Sequence, residues 1–327
     1  MSLVKTARDT FHAIFSFCNH FSQCKIGSME LLWGIDMGGT KIEGAVIRQQ
    51  KNELEVLARK RLPTEQEGGY LHILEQIDRL VKALAKEAGK KPERIGFGTP
   101  GTYEPGSFIH KNSNTTCLNG RTLFPDLQKK LGIPIAMAND ANCFALAETR
   151  WGAVSQRVPE AKVVFGIIMG TGVGGGVVVD GNVLHGHHGI AGEWGHSFLH
   201  ESGGACYCGR VGCAETLLSG PAQEKYYTGL TGQELSLKEI VGRIPDDPAA
   251  QKTLDHLIDF FGRALGAVVN LIDPDVIVIG GGVGNIDLLY TEGPKSVAKH
   301  IFNPVFETPI LKPALGDSAG VFGAAAL

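Results

Sequence analysis

The chain has 327 residues, of which 43% are hydrophobic and 20% are charged. These proportions exclude a disordered or membrane-embedded chain, and the length predicts about two domains. The 31 Lys and Arg nearly balance the 34 Asp and Glu, giving a net charge of -3. Without a basic stripe, this balance argues against a nucleic-acid partner. The apolar runs are short and broken by glycine, so we expect no membrane-spanning helix.

Residues 1–28 differ from the rest of the chain. Their apolar side chains fall at helical spacing, but the stretch is too brief for a signal peptide: Phe11, Ile14, Phe15, Cys18 and Phe21. We expect either an appended helix or residues upstream of a natural start at Met29.

From Leu31 the stretch "LLWGIDMGGTKIEGAVI" predicts two antiparallel strands joined by a tight glycine turn. A helix follows from about Tyr70 to Ala88, then the short buried strands "RIGFGTPG" and "IPIAMAND" and the helix "ANCFALAETRWG". The theme of strand, glycine turn and strand recurs in "KVVFGIIMGTGVGGGVVVDGNVL". A long helix, "TLDHLIDFFGRALGAVVNLIDP", and a buried strand, "DVIVIGGGV", come later. The repetition predicts a duplicated architecture.

Three glycine clusters follow apolar strands, at 38–39, 170–176 and 280–282. Without side chains, backbone N–H groups can face an anion, which favours a nucleotide phosphate chain, although hairpin turns use glycine too. The chain continues as a strand after the first two clusters, so neither the GxxxxGK[ST] loop nor the GxGxxG loop fits. We expect a cleft in which two glycine hairpins, one from each domain, hold a triphosphate. Asp36 could hold Mg2+ through water, or it could stabilise the turn.

Three thiols and one imidazole crowd into "GEWGHSFLHESGGACYCGRVGCAET". His196, Cys206, Cys208 and Cys213 supply the four ligands of a closed, structural zinc site in a reducing compartment, with His200 as the alternative imidazole. His185, His187 and His188 have no accompanying thiol or carboxylate, so we expect them to be loop histidines.

In "AMANDANCFALAE" a buried strand ends at Asn139 and Asp140, and a helix begins at once. An Asp in this position either caps the helix or faces a ligand, because strand ends beside a cleft bind ligands in open sheets. We interpret Asp140 as a carboxylate that accepts the proton of an attacking hydroxyl.

Five stretches in this order resemble the ROK family of repressors, open reading frames and sugar kinases: "GIDMGGTK", "NDANCFALAE", "GTGVGGGV", "GEWGH" and "CYCGRVGCAET". The resemblance runs from about Leu31 to the C-terminus. It implies a two-domain α/β fold like those of actin and hexokinase, with ribonuclease H-like domains and a ligand cleft between them. We divide the chain into an extension (1–28), a small α/β domain (29–148, joined by a C-terminal helix at 317–327) and a large α/β domain with the zinc loop (149–316).

The resemblance also implies roles for individual residues. Asp140 would be the catalytic base and would bind the sugar together with Asn114, Asn139, Glu193, His196 and Glu215. ATP would lie against Gly34, Asp36, Gly38, Gly39, Thr40, Lys41, Gly170, Thr171, Gly172, Gly174, Gly175, Gly281 and Gly282. One ring nitrogen of His196 would bind zinc and the other would bind the sugar.

The resemblance implies a cytoplasmic, Mg2+- and ATP-dependent kinase acting on the 6-hydroxyl of a hexose, and by analogy a homodimer. The stretches "NSNTTCLNG", "CYCGRVGCAET", "GGGVGNIDLLY" and "GDSAGVFGAAA" look most like bacterial fructokinases and mannokinases. Glucose or N-acetylglucosamine is the alternative acceptor. A sugar-sensing regulator without catalysis, or a nucleotide-driven chaperone or filament protein, is the alternative of another class.

Overall fold

A computed structural model describes residues 31–50 and 53–327 of the chain. The helix expected within residues 1–28 lies outside this part. Residues 31–327 form one compact unit. Every helix in the described residues is too short or too polar to span a bilayer.

The strands of the first sheet are β1 (Leu31–Met37), β2 (Lys41–Gln50), β3 (Glu53–Pro63), β4 (Ile95–Thr99) and β7 (Ile135–Asn139). Their order in the sheet is β3-β2-β1-β4-β7. Strands β1 and β2 form the predicted antiparallel pair, and β4 and β7 continue the sheet in parallel. A separate short hairpin follows β4 and consists of β5 (Thr102–Tyr103) and β6 (His110–Lys111).

The strands of the second sheet are β8 (Val163–Met169), β9 (Val173–Val179), β10 (Asn182–Val183), β11 (Val276–Gly280) and β12 (Ile310–Leu311). They repeat the arrangement of the first sheet in the order β10-β9-β8-β11-β12. Strands β8 and β9 form an antiparallel hairpin, and β11 and β12 are parallel to β8. The predicted duplication and the predicted α/β class are therefore confirmed.

The helices occupy the remaining segments of both halves. They are α1 (Gly69–Ala88), α2 (Leu123–Leu131), α3 (Asp140–Arg150), α4 (Ala153–Arg157), α5 (Glu215–Leu218), α6 (Gly220–Thr231), α7 (Leu237–Gly242), α8 (Pro248–Ile272), α9 (Leu288–Thr291), α10 (Gly293–Val297) and α11 (Ala319–Ala325). The predicted helix at 70–88 is α1, which buries Ile73, Ile77, Leu80 and Leu84 on its apolar face.

Helices α3 and α11 pack against each other and connect the two sheets. Helix α3 contacts β8 and β9, and α11 contacts β1, β2 and β4. The approach is so close that a side chain at three glycines would collide with backbone: a Cβ at Gly34 would lie 2.1 Å from the Val321 oxygen, one at Gly96 1.7 Å from the Ala324 oxygen, and one at Gly323 1.7 Å from the Cys143 oxygen. This packing fixes the start of α3, where the candidate base lies, relative to both sheets.

Candidate active site

The junction between β7 and α3 presents the Asp140 carboxylate. The Asn139 side chain caps the helix by accepting a hydrogen bond from the Asn142 backbone N–H at 2.8 Å. The capping role considered for Asp140 is therefore performed by Asn139. Asp140 accepts from the Ala141 N–H at 2.8 Å through Oδ1. No side chain among the described residues donates to this carboxylate, so it is open to a ligand.

The Asp140 residue is exposed to solvent on one side, while protein crowds its other sides. Burial raises the pKa of this carboxyl, and the backbone N–H groups of Ala141 and of Asp140 itself oppose the rise. Burial also raises the pKa of Asp36 to about 7; the negative charges of Asp140 and Glu43 add to this rise, and Lys41 opposes it. Carboxylates in such surroundings bind a proton or a cation more readily than solvated ones.

Three of the predicted sugar ligands extend the site from Asp140 into the second half of the molecule. The Asn139 Nδ2 group donates to Glu193 Oε1 at 3.3 Å. Burial raises the pKa of Glu193, and the charges of Asp140 and Glu215 raise it further, whereas the bond from Asn139 lowers it. Glu215 Oε2 accepts from the Val173 N–H at 2.9 Å, just beyond the second glycine turn. These side chains offer several acceptors and one amide donor to a polyhydroxy ligand.

Asn114 is exposed, and no hydrogen bond or ion pair connects it to Asp140, Glu193 or Glu215 in the described chain. It lies between the buried residues Ser113 and Thr115. Its predicted contact with the sugar therefore has no support from the geometry of the free protein.

The first glycine turn is partly closed by its own hydrogen bonds. The Gly38 N–H donates to the Lys41 oxygen at 2.8 Å, so it is not free for a phosphate. Thr40 and Lys41 are exposed at the turn, and Gly39 is partly exposed, so a ligand can reach all three. Gly34 is buried against α11, and its missing side chain permits this helix packing; its contact with nucleotide stays a prediction.

In the second glycine turn, too, one backbone N–H is used within the turn while a neighbouring residue is exposed. The Gly170 N–H donates to the Gly172 oxygen at 2.9 Å, and Thr171 is exposed between them. A Cβ at Gly175 would lie 2.7 Å from the Gly192 oxygen, and one at Gly176 2.6 Å from the Ala141 oxygen. Close packing therefore explains the absence of a side chain at Gly175, and its nucleotide contact stays a prediction. A Cβ at Gly174 would make only an ordinary contact, 3.4 Å from the side chain of Ala141, so its nucleotide contact also stays a prediction.

Two further segments meet the second turn. The Gly220 N–H, at the start of α6, donates to the Gly170 oxygen at 2.8 Å. Gly281 has φ +83° and lies against the Met169 backbone, while Gly282 approaches Gly170. Sequence analysis identified Gly281 and Gly282 but missed Gly220. The Gly220 N–H is already used by its bond to Gly170, whereas Gly281 and Gly282 are exposed and their backbone can be reached by phosphate oxygens.

The predicted zinc ligands form one cluster. The ligand atoms of His196, Cys206, Cys208 and Cys213 all lie within 4.8 Å of one another. Cys208 Sγ is 3.5 Å from Cys213 Sγ, and His196 Nδ1 is 3.6 Å from Cys206 Sγ. Tetrahedral zinc, with bonds of about 2.0–2.3 Å, separates its ligands by similar distances, so the cluster could hold zinc.

The alternative imidazole, His200, bonds to Ser202 instead and lies outside the cluster. His196 directs Nδ1 toward the cysteines, while its Nε2 lies 2.9 Å from the hydroxyl of Tyr207. Tyr207, which sequence analysis missed, thus occupies the nitrogen that was expected to bind the sugar. The signal was its place between Cys206 and Cys208, two of the predicted zinc ligands.

Glu148 was also missed, although it belongs to the quoted stretch "NDANCFALAE". It is fully buried, and its carboxylate accepts backbone N–H bonds from Ala153 at 2.7 Å, Ala314 at 3.0 Å and Leu315 at 2.9 Å. This carboxylate joins the end of α3 to the segment that leads into α11. Its role is structural.

Residues 32–327 match the ROK family. The chain is 36% identical over 310 residues to an N-acetyl-D-glucosamine kinase of Histophilus somni, covering 91% of this chain and 98% of the relative. A ROK hexokinase of Thermus thermophilus superposes with a TM-score of 0.80 at 30% identity, covering 91% and 97%. A ROK family glucokinase of Streptomyces griseus, solved with glucose and AMPPNP, superposes with a TM-score of 0.71 at 26% identity. The match covers 90% of this chain and 98% of the glucokinase. The chain therefore belongs to the ROK family.

Proposed function

We propose that this ROK-family sugar kinase transfers the γ-phosphoryl group of ATP to the 6-hydroxyl of a hexose, with N-acetylglucosamine as the first candidate acceptor. The observation that carries the proposal is the Asp140 carboxylate, which lies beside the Asn139 and Glu193 pair and accepts no bond from a side chain of the described residues. The relative named as an N-acetyl-D-glucosamine kinase covers nearly the whole chain and favours that acceptor. Fructose and mannose, expected from the sequence, and glucose are the alternatives.

In this mechanism the protein positions two substrates and moves one proton. Asp140 accepts the proton of the 6-hydroxyl while the sugar oxygen bonds to the γ-phosphorus and ADP departs. Glu193 and Glu215 accept hydrogen bonds from ring hydroxyls, and the Asn139 amide holds Glu193 in place. Phosphoryl transfer depends mainly on such positioning, so a single well-placed carboxylate is an adequate base.

Mg2+ bound with ATP would neutralise phosphate charge during the transfer. Asp36 fits this ion. Its carboxylate is largely buried near two other acids, which raises its pKa to about 7, and a divalent cation would relieve the repulsion. Thr40, Lys41 and Thr171 are exposed at the glycine turns and are the proposed contacts of the phosphate chain.

The Cys and His cluster would hold zinc as a structural ion, because protein side chains fill all four positions. Its effect on the sugar site would be indirect. With zinc held through Nδ1, the Nε2 of His196 would carry the proton and donate to the Tyr207 hydroxyl. This bond would keep the Tyr207 ring near the charges of Glu193 and Glu215.

A panel of sugars with Mg-ATP tests the proposal through the ADP that is formed. N-acetylglucosamine, glucose, mannose and fructose are compared with a blank that lacks sugar. ADP that forms only with sugar, together with a 6-phosphate product found by NMR, supports the kinase. Tight sugar binding without ADP would indicate a regulator, and ADP without sugar would indicate a chaperone-like ATPase. The homodimer and the domain limits at 148 and 316 remain predictions, and light scattering tests the first.

A further inference from the structure

The side chain of Tyr207 lies against the candidate sugar site, although the proposed mechanism gives it no step. Its hydroxyl is 2.9 Å from His196 Nε2. The two rings meet edge to face, with their centroids 5.1 Å apart. Within the described chain, Tyr207 is the only hydrogen-bond partner of this nitrogen. The ring nitrogen of His196 that points away from the cysteines is therefore already in use.

The hydroxyl end of Tyr207 lies among the candidate sugar ligands. Burial of this end, and next the charge of Glu215, raise the pKa of the hydroxyl to about 12, and the charge of Glu193 adds to the rise. Glu193 in turn accepts a hydrogen bond from Asn139 at 3.3 Å. The phenol oxygen thus stands beside the same acceptors that the proposed function assigns to the hydroxyls of a hexose.

The ring of Tyr207 is exposed, whereas its backbone is held in place. The residue is 75% exposed. The Cys206 N–H donates to the Arg210 oxygen at 2.8 Å, and the Gly209 N–H donates to the Cys206 oxygen at 3.0 Å. An exposed side chain on a fixed turn changes rotamer quickly. Tyr207 can therefore leave His196 by rotating its own side chain, without moving the predicted zinc ligands on either side.

A phenol hydroxyl and a sugar hydroxyl offer the same hydrogen-bonding groups. Each has an oxygen that can accept from the His196 Nε2–H and one O–H that can donate. When a sugar hydroxyl replaces the phenol, the displaced Tyr207 hydroxyl bonds to water. The number of hydrogen bonds stays the same, so the exchange itself adds little to sugar affinity.

We infer that the Tyr207 hydroxyl stands in for a sugar hydroxyl at His196, and that a hexose must displace it in order to bind. The inference rests on the proposed function for the class of ligand. It makes Tyr207 a residue that sets the affinity and specificity of the sugar site. A hexose with an acceptor oxygen at this point replaces the lost bond, and a ligand without one leaves Nε2 unpaired.

The variant Tyr207→Phe gives the first test, because it keeps the ring and removes only the hydroxyl. A sugar then gains its bond to His196 without breaking another. Calorimetry measures the Kd of N-acetylglucosamine, glucose, mannose and fructose. The Kd of each hexose that binds should fall about 3–10-fold, which corresponds to one ordinary hydrogen bond. An unchanged Kd would show that the hydroxyl does not compete, and weaker binding would show that it holds the sugar directly.

The matched control is Tyr226→Phe. The Tyr226 ring stacks on His256 with centroids 3.9 Å apart, so it also pairs a tyrosine with a histidine, outside the candidate site. This variant should leave every Kd unchanged. Equal melting temperature and metal content in Tyr207→Phe and the unaltered protein would show that the Cys and His cluster is intact. An equal gain in Tyr226→Phe would contradict competition at His196.

Fluorine NMR gives a second test that does not depend on affinity. The chain has six tyrosines, and all are labelled with 3-fluorotyrosine. The resonance that is missing from Tyr207→Phe identifies residue 207. A saturating amount of the hexose that binds most tightly should move this resonance toward the position of free 3-fluorotyrosine. A resonance that stays in place would show that Tyr207 is not displaced.

The inference and the proposed function fail in different ways. If no hexose is phosphorylated but hexoses bind more tightly to Tyr207→Phe, the kinase proposal fails and the displacement stands. If hexoses are phosphorylated and Tyr207→Phe binds them no more tightly, the kinase stands and the displacement is wrong. If none of the four hexoses binds to either protein, both are wrong.

Discussion

Helix α3 carries an acidic residue near each end, and the two carboxylates have opposite surroundings. Glu148 is fully buried, and both of its oxygens accept backbone N–H bonds from distant segments. Asp140 is exposed in the cleft, accepts a neighbouring backbone N–H through one oxygen and has no Lys or Arg partner in the described chain. The same chemical group is structural where its acceptors are all used, and available for chemistry where one is left open.

The strongest test of this comparison is Asp140→Asn, which keeps the shape of the side chain and removes its basicity. We expect kcat to fall by about 10²–10⁴-fold, because the proton acceptor is lost, while sugar binding changes only a few-fold. Single-turnover ADP formation and calorimetry measure the two effects. Normal turnover in this variant would show that another group takes the proton.

A substitution at Glu148, near the other end of α3, should lower the stability of the fold and leave turnover nearly unchanged. In Glu148→Gln the amide NH2 faces backbone donors, and the charged hydrogen bonds are lost. The free energy of unfolding should fall by about 1.5–3 kcal/mol, measured by urea denaturation, with little change in kcat/KM of the folded enzyme. Asp140→Asn serves as the matched control and should not lower stability. A Glu148→Gln protein with normal stability but poor catalysis would reverse the comparison.

The cysteine cluster tests whether the cleft also depends on support from outside α3. Cys208→Ser should remove bound zinc, seen by elemental analysis, and should weaken sugar affinity about 10–100-fold because His196 loses its anchor. Cys117→Ser, outside the cluster, should change neither quantity. Unchanged metal content in the Cys208 variant would argue against the site.

Asp36 tests the cleft through a pH dependence of the free energy of unfolding, measured without Mg2+. Its pKa is about 7 in the folded protein and near 3.8 when unfolded, so the folded state binds the proton more tightly. The resulting stabilisation is complete below pH 4 and is lost as the pH rises through about 7. The slope is at most about 1.4 kcal/mol per pH unit, and less because Asp36 is partly solvated. Asp36→Asn should flatten this slope, and an unchanged profile would show that another group titrates.

Elements with strong apolar patterns were predictable from the sequence, and elements without them were not. The hairpins after Leu31 and Val163 and the helix α8 follow from hydrophobic periodicity. Strand β3 was missed because its sequence, "ELEVLARKRLP", is highly charged. The charge has a reason, since Arg59 and Arg61 of this edge strand both pair with the buried Glu43 of β2. Helix α6 was missed because its face toward the core has few apolar side chains.

For the candidate site, too, only residues with a clear local sequence pattern could be predicted. The clustering of the four predicted zinc ligands could be foreseen because three of them lie within eight residues of one another. Short-range spacing could not separate glycines that face a ligand from glycines that face protein. Gly175 and Gly176 meet Gly192 and Ala141, neighbours that only the fold brings together. For the same reason Glu148, whose donors include Ala314 and Leu315, could not be recognised as a structural residue.

The close packing of α11 against β1 and β4 has a consequence for biosynthesis. The first sheet leaves the ribosome early, yet the glycine-lined surface at Gly34 and Gly96 is filled by a helix translated much later. In the nascent chain that surface therefore lacks its native partner until residues 319–325 emerge.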